Sequence, residues 1–319
     1  MQRKVLIVLL SLILAFIGGY GQDKKHRVII LSDIGGYDED DDQSFIHYLF
    51  YADCFATEGL ISSPPGKGRA KDFREVIDLY RKDYSKLQRH GSFPSPRILE
   101  KVVKQGAVEP APAAGHSSPT EGSKWLIRCA RKPDPRPLFI LVWGSITDLA
   151  QAVHDAPDIK PKLRVHFIAS WNQRQDSAAF RYIEKYHTDI WMIQDNSTFR
   201  GWYSGGIQTG DLGNKSFVEQ HIARAGAMGS YFATLKQGSI KMGDSPSVAR
   251  LLYGNPENPE EDSWGGRFSP LDTGRHWWID DTSANLKEGP YPGARTVNKW
   301  REAYLRDWQK RLSWLSKIR

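Results

Sequence analysis

Short apolar segments that alternate with amphipathic segments constrain the fold of this chain more than any other feature. The predicted strands are residues 27–32, 55–61, 138–143, 163–169 and 189–194. The predicted helices are residues 43–52, 69–81, 121–131, 146–155, 176–186, 216–225, 246–253 and 296–317. This alternation predicts an α/β protein with a mostly parallel open sheet and helices on both faces. Ligands of such sheets bind beyond the carboxyl ends of the strands, where Asp33 and the loop after Trp143 are expected.

The first 21 residues have the layout of a signal peptide. Basic residues at 3–4 precede an apolar run over 5–17, which is too short for a membrane span of about 20 residues. Small residues at Gly19 and Gly21 predict cleavage before Gln22. An uncleaved membrane anchor is the alternative. We expect an exported protein, periplasmic or extracellular, without stable membrane insertion.

Residues 22–319 are predicted to form a single domain that ends in a helix, because no internal repeat or clear linker divides them. The stretches 91–120 and 254–293 are rich in Gly and Pro and are interpreted as excursions from the domain. The formal net charge of +7 falls to +5 when the two basic residues at 3–4 are removed. No dense basic run with interleaved aromatic residues occurs before the C-terminal helix, so a nucleic-acid partner is disfavoured. The sequence leaves a homo-oligomer open.

Two cysteines, Cys54 and Cys129, are the only thiols of the chain. In an exported protein they would form one disulfide or remain as two buried free thiols. Their positions in the sequence leave both alternatives open.

An acidic segment follows the first predicted strand and is the best candidate for a metal or catalytic site. Residues 27–44 read RVIILSDIGGYDEDDDQS, with Asp33 at the end of the strand and five acids over 38–42. These carboxylates repel one another strongly enough that a cation is expected to offset them. Oxygen ligands without interleaved His or Cys favour calcium over zinc. The alternative is a solvated acidic turn at the start of a helix.

Exposed tryptophans are a second candidate feature, because the chain contains 11 of them. Trp171, Trp202 and Trp264 lie beside Gly, Asn or Ser in segments that read as loops. Aromatic rings on loops can stack on the faces of sugars, and we interpret these three as candidate substrate-binding residues. The alternative is that they fill irregular packing under long loops.

Three separated segments resemble the nucleoside hydrolase superfamily: the acidic segment over 27–44, LVWGSITDLAQAV over 141–153 and KMGDSPSVARLL over 241–252. The segments SDIGGYDEDDDQSFIHYLFYADCFATEGLISSPPGKGR, SPTEGS and DNSTFRGW are more closely similar to the nucleoside hydrolase-like domain of a bacterial family named after a cellulose-binding protein. This resemblance runs from about residue 27 to about residue 270 and implies a nucleoside hydrolase-like fold.

The resemblance also implies a set of site residues. It implies calcium held by Asp33, by both oxygens of Asp41, by the main-chain carbonyl of Trp143 and by Asp244. Asp40 would hydrogen-bond a sugar hydroxyl, and Asp33 would be the general base for a water that attacks the anomeric carbon.

The chain also departs from the superfamily pattern. Residues 37–39 lengthen the loop before the paired aspartates, which leaves the register of residues 40–42 open by one. Gly243 stands where some nucleoside hydrolases have a histidine that assists the departing base. The pattern that grips ribose is missing after Ile168, where Asn172 is the nearest polar candidate for substrate binding.

Two functions therefore remain in view. The first is a calcium-dependent hydrolase of an N-ribosyl or another small glycosidic bond. The second is a non-catalytic carbohydrate-binding or polysaccharide-binding protein on the same fold, which would use the aromatic rings as platforms. The expected ligand is in either case a small sugar, a nucleoside or an oligosaccharide.

Overall fold

The computed structural model describes residues 25–63, 68–272 and 275–316, and the predicted signal peptide lies outside these ranges. The described residues form one eight-stranded sheet of strand order β3-β2-β1-β4-β5-β6-β8-β7. All neighbouring strands are parallel except β7 and β8. The strands are β1 (His26–Ser32), β2 (Phe55–Ser62), β3 (Val103–Gln105), β4 (Leu138–Val142), β5 (Leu163–Ile168), β6 (Met192–Asp195), β7 (Phe268–Pro270) and β8 (Trp277–Asp280). The prediction of a mostly parallel sheet is confirmed.

Most of the predicted helices are present with shifted ends, but the helix predicted over 216–225 is an α-helical turn, Asn214–Phe217, followed by a π-helix, Val218–Ile222. The first begins at Asp40, so the paired aspartates lie in its first turn. The helices are α1 (Asp40–Phe50), α2 (Ala70–Leu87), α3 (Pro96–Val102), α4 (Glu121–Ala130), α5 (Thr147–Asp155), α6 (Ser170–Gln175), α7 (Ser177–Tyr186), α8 (Asn214–Phe217), α9 (Gly226–Phe232), α10 (Ser245–Leu252), α11 (Arg295–Asn298) and α12 (Arg301–Ser313). The helix predicted over 296–317 is thus two helices. None of the helices in the described ranges is long and apolar enough to cross a bilayer.

Both faces of the sheet are covered, as the alternation of β1 shows. Val28 and Ile30 belong to one hydrophobic cluster, which also contains the buried faces of α1, α2, α10 and α12. Ile29 and Leu31 belong to a second cluster with the buried faces of α4, α5 and α7. A parallel sheet buried on both faces requires apolar residues in near-continuous runs, which is why its strands read so clearly in the sequence.

The sequence does not predict the edge strand β7 or its neighbour β8. The segment HWWIDD over 276–281 reads as a pocket rim or a packed lid, but Trp277–Asp280 form a strand that pairs in parallel with β6. Trp277 is buried in the second hydrophobic cluster. The sequence pattern that would predict β8 is weak, because this strand has only four residues and lies in a Gly- and Pro-rich stretch.

Cys54 and Cys129 are both free thiols, which resolves the two alternatives left by the sequence. Burial raises the pKa of each thiol to about 11. Both are therefore protonated at neutral pH and unreactive, because the thiolate is the nucleophilic form.

Candidate active site

A cavity of about 660 Å³ opens beyond the carboxyl ends of the central strands β1, β4 and β5. Its position agrees with the expectation for an open parallel sheet. The cavity brings together most of the site residues predicted from the sequence, which are Asp33, Asp40, Asp41, Trp143, Trp171, Asn172 and Asp244.

The backbone around Asp33 is held in a tight turn directly after β1. The amide of Gly36 donates to the carbonyl of Asp33 at 2.8 Å, and Gly35 adopts a φ of +76° that favours glycine. On the other side, a Cβ on Gly144 would lie 2.8 Å from Oδ1 of Asp33. Glycine at 144 therefore allows the loop after β4 to approach this carboxylate closely.

Two further carboxylates reach the cavity floor from different elements. Asp41 lies in the first turn of α1, is 5% exposed, and accepts a hydrogen bond from the hydroxyl of Ser32. Asp244 precedes α10 and is 3% exposed. Its Oδ2 atom is buried and has no hydrogen-bond partner in the structure. We call Asp33, Asp41 and Asp244 the acid cluster.

The acid cluster has no cationic partner among the residues that the structure describes. Within the described part of the chain, no Lys, Arg or His nitrogen lies within ion-pair distance of these three carboxylates. Burial raises the pKa of Asp33 to about 6. Burial and the charges of the neighbouring aspartates hold the pKa of Asp41 and Asp244 well above the ordinary value. The cluster therefore requires protons or a cation at neutral pH.

The chemistry of the acid cluster fits a hard cation, because every candidate ligand atom is an oxygen. Across the described ranges, however, no three acidic, histidine or cysteine side chains are already arranged as a closed metal site. Among the described atoms of the acid cluster, Oδ2 of Asp244 is the buried oxygen without a hydrogen-bond partner, which itself indicates a missing partner.

A second acid on the cavity wall, Asp38, is fully paired. Lys236 donates to it at 2.7 Å, and Lys241 donates to its other oxygen. Burial alone would raise the pKa of Asp38, but hydrogen bonds from Asp40 and the two lysines hold it below the ordinary value. Lys241 also lies 3.9 Å from Oδ2 of Asp40, whose pKa burial raises to about 7. Sequence analysis does not identify these lysines, because they are about 200 residues from their partners.

The main-chain carbonyl of Trp143 is oriented by Asn172. The side-chain amide of Asn172 donates to the Trp143 carbonyl at 2.6 Å and to the Ile168 carbonyl at 3.0 Å. The Trp143 indole donates to the hydroxyl of Ser247 at 2.8 Å. Asn172, predicted as a substrate-binding residue, lines the cavity and also fixes the carbonyl that was predicted as a metal ligand.

The structure places Asp40 and Asp41 in the cavity and Asp42 outside it. Asp42 is buried on another side of α1, where the Tyr231 hydroxyl donates to it at 3.3 Å. This geometry supports the register in which Asp41 belongs to the acid cluster and Asp40 to the cavity wall.

The three tryptophans predicted as sugar platforms differ in position. Trp171 is 60% exposed and lines the cavity. Trp202 is 1% exposed and stacks on Tyr304 with the ring centroids 3.9 Å apart. Trp264 stacks on Tyr253 and does not line the cavity. The assignment of Trp202 to substrate binding is therefore corrected, because its ring is buried in packing; Trp264 is half-buried and lies outside this cavity, and its role in substrate binding stays a prediction.

The Gly- and Pro-rich excursion between β3 and α4 forms part of the cavity wall and supplies Glu109. It is tied to the sheet by buried acids. The amide of Ala107 donates to Asp148 at 2.9 Å, and the amide of Ala111 donates to Asp176 at 3.0 Å. Sequence composition predicts an excursion here but not its contact with the site.

The fold is similar to solved structures of nucleoside hydrolases and a related protein. A nucleoside hydrolase-related hypothetical protein from Saccharophagus degradans, associated with carbohydrate metabolism, matches with a TM-score of 0.73 at 23% identity over 92% of this chain and 72% of that chain. An inosine-uridine preferring nucleoside hydrolase from Bacillus anthracis matches with a TM-score of 0.52 at 18% identity, over 89% and 99% of the two chains. A plant nucleoside hydrolase gives a TM-score of 0.52 at 15% identity, over 90% and 98%. At these identities the likeness is one of fold.

No curated protein sequence matches this chain. One family model, described as the nucleoside hydrolase-like domain of cellulose-binding Sde182, matches residues 27–268. The matched range begins in β1, ends in β7 and contains the whole acid cluster. The chain therefore belongs to the family of the cellulose-binding Sde182 nucleoside hydrolase-like domain.

Proposed function

We propose that the protein is an exported, calcium-dependent hydrolase of an N-ribosyl or related small glycosidic bond. One observation carries this proposal: the acid cluster converges from three elements at the floor of a cavity, without a cationic partner in the described part of the chain. Buried groups with strongly raised pKa values in a cavity are typical of functional sites.

The ligands for calcium would be Asp33, Asp41, Asp244 and the Trp143 carbonyl. A bound calcium ion would offset the mutual repulsion of the acids, hold sugar hydroxyls and lower the pKa of a water molecule. Asn172 supports this role because it fixes the Trp143 carbonyl beside the cavity. The unpartnered oxygen of Asp244 supports it because a buried carboxylate oxygen without a partner is costly.

Asp33 is the proposed general base. Burial raises its pKa to about 6, so it is mostly ionised at neutral pH and can still accept a proton from a water molecule. Asp40, whose Oδ2 lies beside Lys241 and faces Gly243, is placed to accept a hydrogen bond from a sugar hydroxyl. The transition state would be oxocarbenium-like, as in other glycoside hydrolysis.

The leaving group receives no side-chain assistance at position 243. A Cβ on Gly243 would lie 2.9 Å from Oδ2 of Asp40 and 3.5 Å from the ring of Phe199. A histidine there would have to displace Asp40, so the glycine belongs to the local packing of this cavity. We therefore expect purine nucleosides, whose base needs protonation to depart, to be poor substrates.

A non-catalytic carbohydrate-binding role is the alternative, and Trp171 favours it. Its ring is 60% exposed where it lines the cavity, and exposed indoles stack on sugar faces. The family description also names a cellulose-binding protein. Turnover separates the two functions, because a binding protein would not require Asp33 as a base.

Calcium binding is tested by thermal unfolding of the purified protein with and without calcium. At a free calcium concentration 100 times the dissociation constant, the parent protein should gain about 2.7 kcal/mol of unfolding free energy. Asp41→Asn should remove most of this gain, because an amide offers one ligating oxygen in place of two. Asp42→Asn is the matched control and should retain the gain. A reversed result would place Asp42 in the site, and a parent protein without a calcium response would refute the metal proposal.

Export is proposed from residues 1–21, which lie outside the described ranges. Intact-mass measurement of protein recovered from the periplasm or medium should give a chain that begins at Gln22. Retention of the first 21 residues would contradict a cleaved signal peptide.

A further inference from the structure

Arg200 lies on the cavity wall and forms no ion pair with any acidic residue that the structure describes. It follows Phe199 in the 3-10 helix Thr198–Trp202 and is partly exposed. Within the described ranges, no carboxylate oxygen lies within 4 Å of its guanidinium. The other lysine or arginine that lines the cavity, Lys241, is paired with Asp38. Arg200 is therefore a positive charge beside the ligand space without an ion-pair partner in the described chain, and its charge acts on the buried carboxylate of Asp195.

The guanidinium of Arg200 is held in place by neutral groups. It lies 4.5 Å from the centroid of the Phe199 ring and 5.2 Å from that of the Tyr291 ring. Its Nη2 donates to the hydroxyl of Ser170 at 3.1 Å, and Ser170 has a φ of +40°, which is rare for a residue with a side chain. This is the one hydrogen bond of the guanidinium to the described chain, so most of its donors are available.

The two cations of the cavity act on different groups. Burial lowers the pKa of Lys241, but the charges and hydrogen bonds of Asp40 and Asp38 raise it above the ordinary value. Burial raises the pKa of Tyr203 to about 12, and the charge of Arg200 opposes that rise. Lys241 thus interacts with Asp38 and Asp40, whereas Arg200 lies beside the neutral Tyr203 and Phe199, and its charge also opposes the rise in the pKa of the buried Asp195.

Gly243 lies between Asp40, on the proposed reacting side of the cavity, and Phe199, whose ring contacts Arg200. The space in front of the Gly243 backbone is bounded by Oδ2 of Asp40 and by the ring of Phe199. Arg200 lies over the same Phe199 ring. A sugar held by Asp40 would therefore place a neighbouring substituent along Phe199 towards Arg200.

We infer that Arg200 recognises an oxyanion carried by the ligand, so that the preferred substrates are acidic sugars or their glycosides. A guanidinium with open donors presents a planar fork that matches a carboxylate, sulfate or phosphate. This inference rests on the proposed function, in which a divalent cation offsets the acid cluster; without that cation the cluster would repel an anionic ligand. The oxyanion belongs either to a sugar carboxylate or to a sugar phosphate.

Binding of four probes in the presence of calcium tests the inference and separates these sources. Isothermal titration calorimetry would compare glucuronic acid with glucose, and ribose 5-phosphate with ribose. At least one acidic probe should bind about tenfold more tightly than its neutral partner. A preference confined to the first pair assigns a carboxylate, and one confined to the second assigns a phosphate.

The variants Arg200→Gln, Arg200→Lys and Arg174→Gln give the matched comparison. Arg200→Gln should abolish the preference for the acidic probe, and Arg200→Lys should keep part of it, because the charge remains while the fork is lost. Arg174, which lies over the Trp171 ring and does not line the cavity, is the control and should keep the whole preference. A preference that survives Arg200→Gln, or equal binding of acidic and neutral probes by the parent, would overturn the inference.

Calcium-dependent thermal stabilisation of the same samples keeps the two proposals separate. If calcium stabilises the protein but no acidic preference exists, only the Arg200 assignment fails. If calcium has no effect and Arg200→Gln still abolishes an acidic preference, the assignment holds and the proposed hydrolase fails. If none of the four probes binds, the assignment is overturned as well.

Discussion

Two groups of buried acids lie at the carboxyl ends of the strands, and their surroundings differ. The acid cluster faces the cavity and includes a carboxylate oxygen without a partner. The second group, Asp195 and Asp280 at the ends of β6 and β8, accepts hydrogen bonds from backbone amides. Asp280 accepts hydrogen bonds from the amides of residues 196–198 at 2.7 to 3.1 Å, and Asp195 accepts one from Phe199 at 3.0 Å.

Burial and a raised pKa are common to both groups, so these properties alone do not identify the functional one. Burial raises the pKa of Asp195 and of Asp280 to about 7, as it raises that of Asp33 to about 6. The difference is whether backbone amides of the chain satisfy the carboxylate oxygens. Asp280 caps a 3-10 helix, whereas the acid cluster leaves acceptor capacity that a ligand can fill.

The largest expected effect is on turnover. Asp33→Asn should lower the hydrolysis rate by roughly 10² to 10⁴, because it removes the general base and leaves the shape of the cavity unchanged. The measurement is a release assay with the best substrate found among small glycosides and nucleosides. Asp42→Asn, which lies outside the cavity, is the control and should retain activity. A fully active Asp33→Asn would show that another group is the base, and a parent protein that hydrolyses none of these substrates would leave the carbohydrate-binding role as the better explanation.

The next effect is on stability and should have opposite signs in the two groups. Asp280→Asn should destabilise the protein by about 1 to 3 kcal/mol, because an amide cannot accept all three backbone hydrogen bonds. Asp244→Asn should stabilise the calcium-free protein at neutral pH, because it removes charge repulsion within the acid cluster. Denaturant unfolding in a chelator would measure both changes. Equal destabilisation by the two substitutions would erase the distinction between the groups.

A smaller effect concerns pH. The raised pKa values mean that the folded protein holds protons between about pH 4 and pH 7 that the unfolded chain has released, so calcium-free stability should fall as the pH rises through this window. In the proposed site, calcium would compete with these protons at the acid cluster alone. Its stabilising effect should therefore be small at pH 5 and largest above pH 7. Melting curves across this range, with and without calcium, would show it; a calcium effect independent of pH would contradict it.

The smallest expected effect lies at the cavity wall. Trp171→Ala should weaken sugar binding by about 0.5 to 1.5 kcal/mol, the usual contribution of aromatic stacking, and should leave stability nearly unchanged because the ring is 60% exposed. Trp202→Ala should instead lower stability, since that ring is buried against Tyr304. Calorimetric titration and thermal melts of both variants would test the contrast. A Trp171→Ala variant that binds sugar as tightly as the parent would remove the evidence for a platform.

The central part of the fold is predictable from the sequence, and its edges are not. The strands β1, β2, β4 and β5 are buried on both faces, so their apolar runs match the predicted segments within one or two residues. The strands β3, β7 and β8 have three or four residues each. Strands of that length depend on pairing with an existing sheet edge, which no local pattern reports.

The site was predictable where its residues follow strand ends or resemble a known motif. Asp33 and Asp41 lie close together in sequence, and Asp244 was found through the resemblance. The pairing of Asp38 with Lys236 and Lys241 joins residues about 200 positions apart and has no local signature. Trp171 and Trp202 have similar polar neighbours in the sequence, and only the packing against α12 decides which ring is buried.

The anchored excursion between β3 and α4 has a consequence for how this cavity meets a ligand. Its amides at Ala107 and Ala111 are fastened to Asp148 and Asp176, which lie in or beside the helices on the sheet. The ordering entropy of this wall is lost during folding, so a ligand does not have to order it on binding. We therefore expect a ligand to enter a preformed cavity without closure of this segment over it. Substitution of Glu109 should therefore alter which ligands bind the cavity, without rearrangement of the sheet.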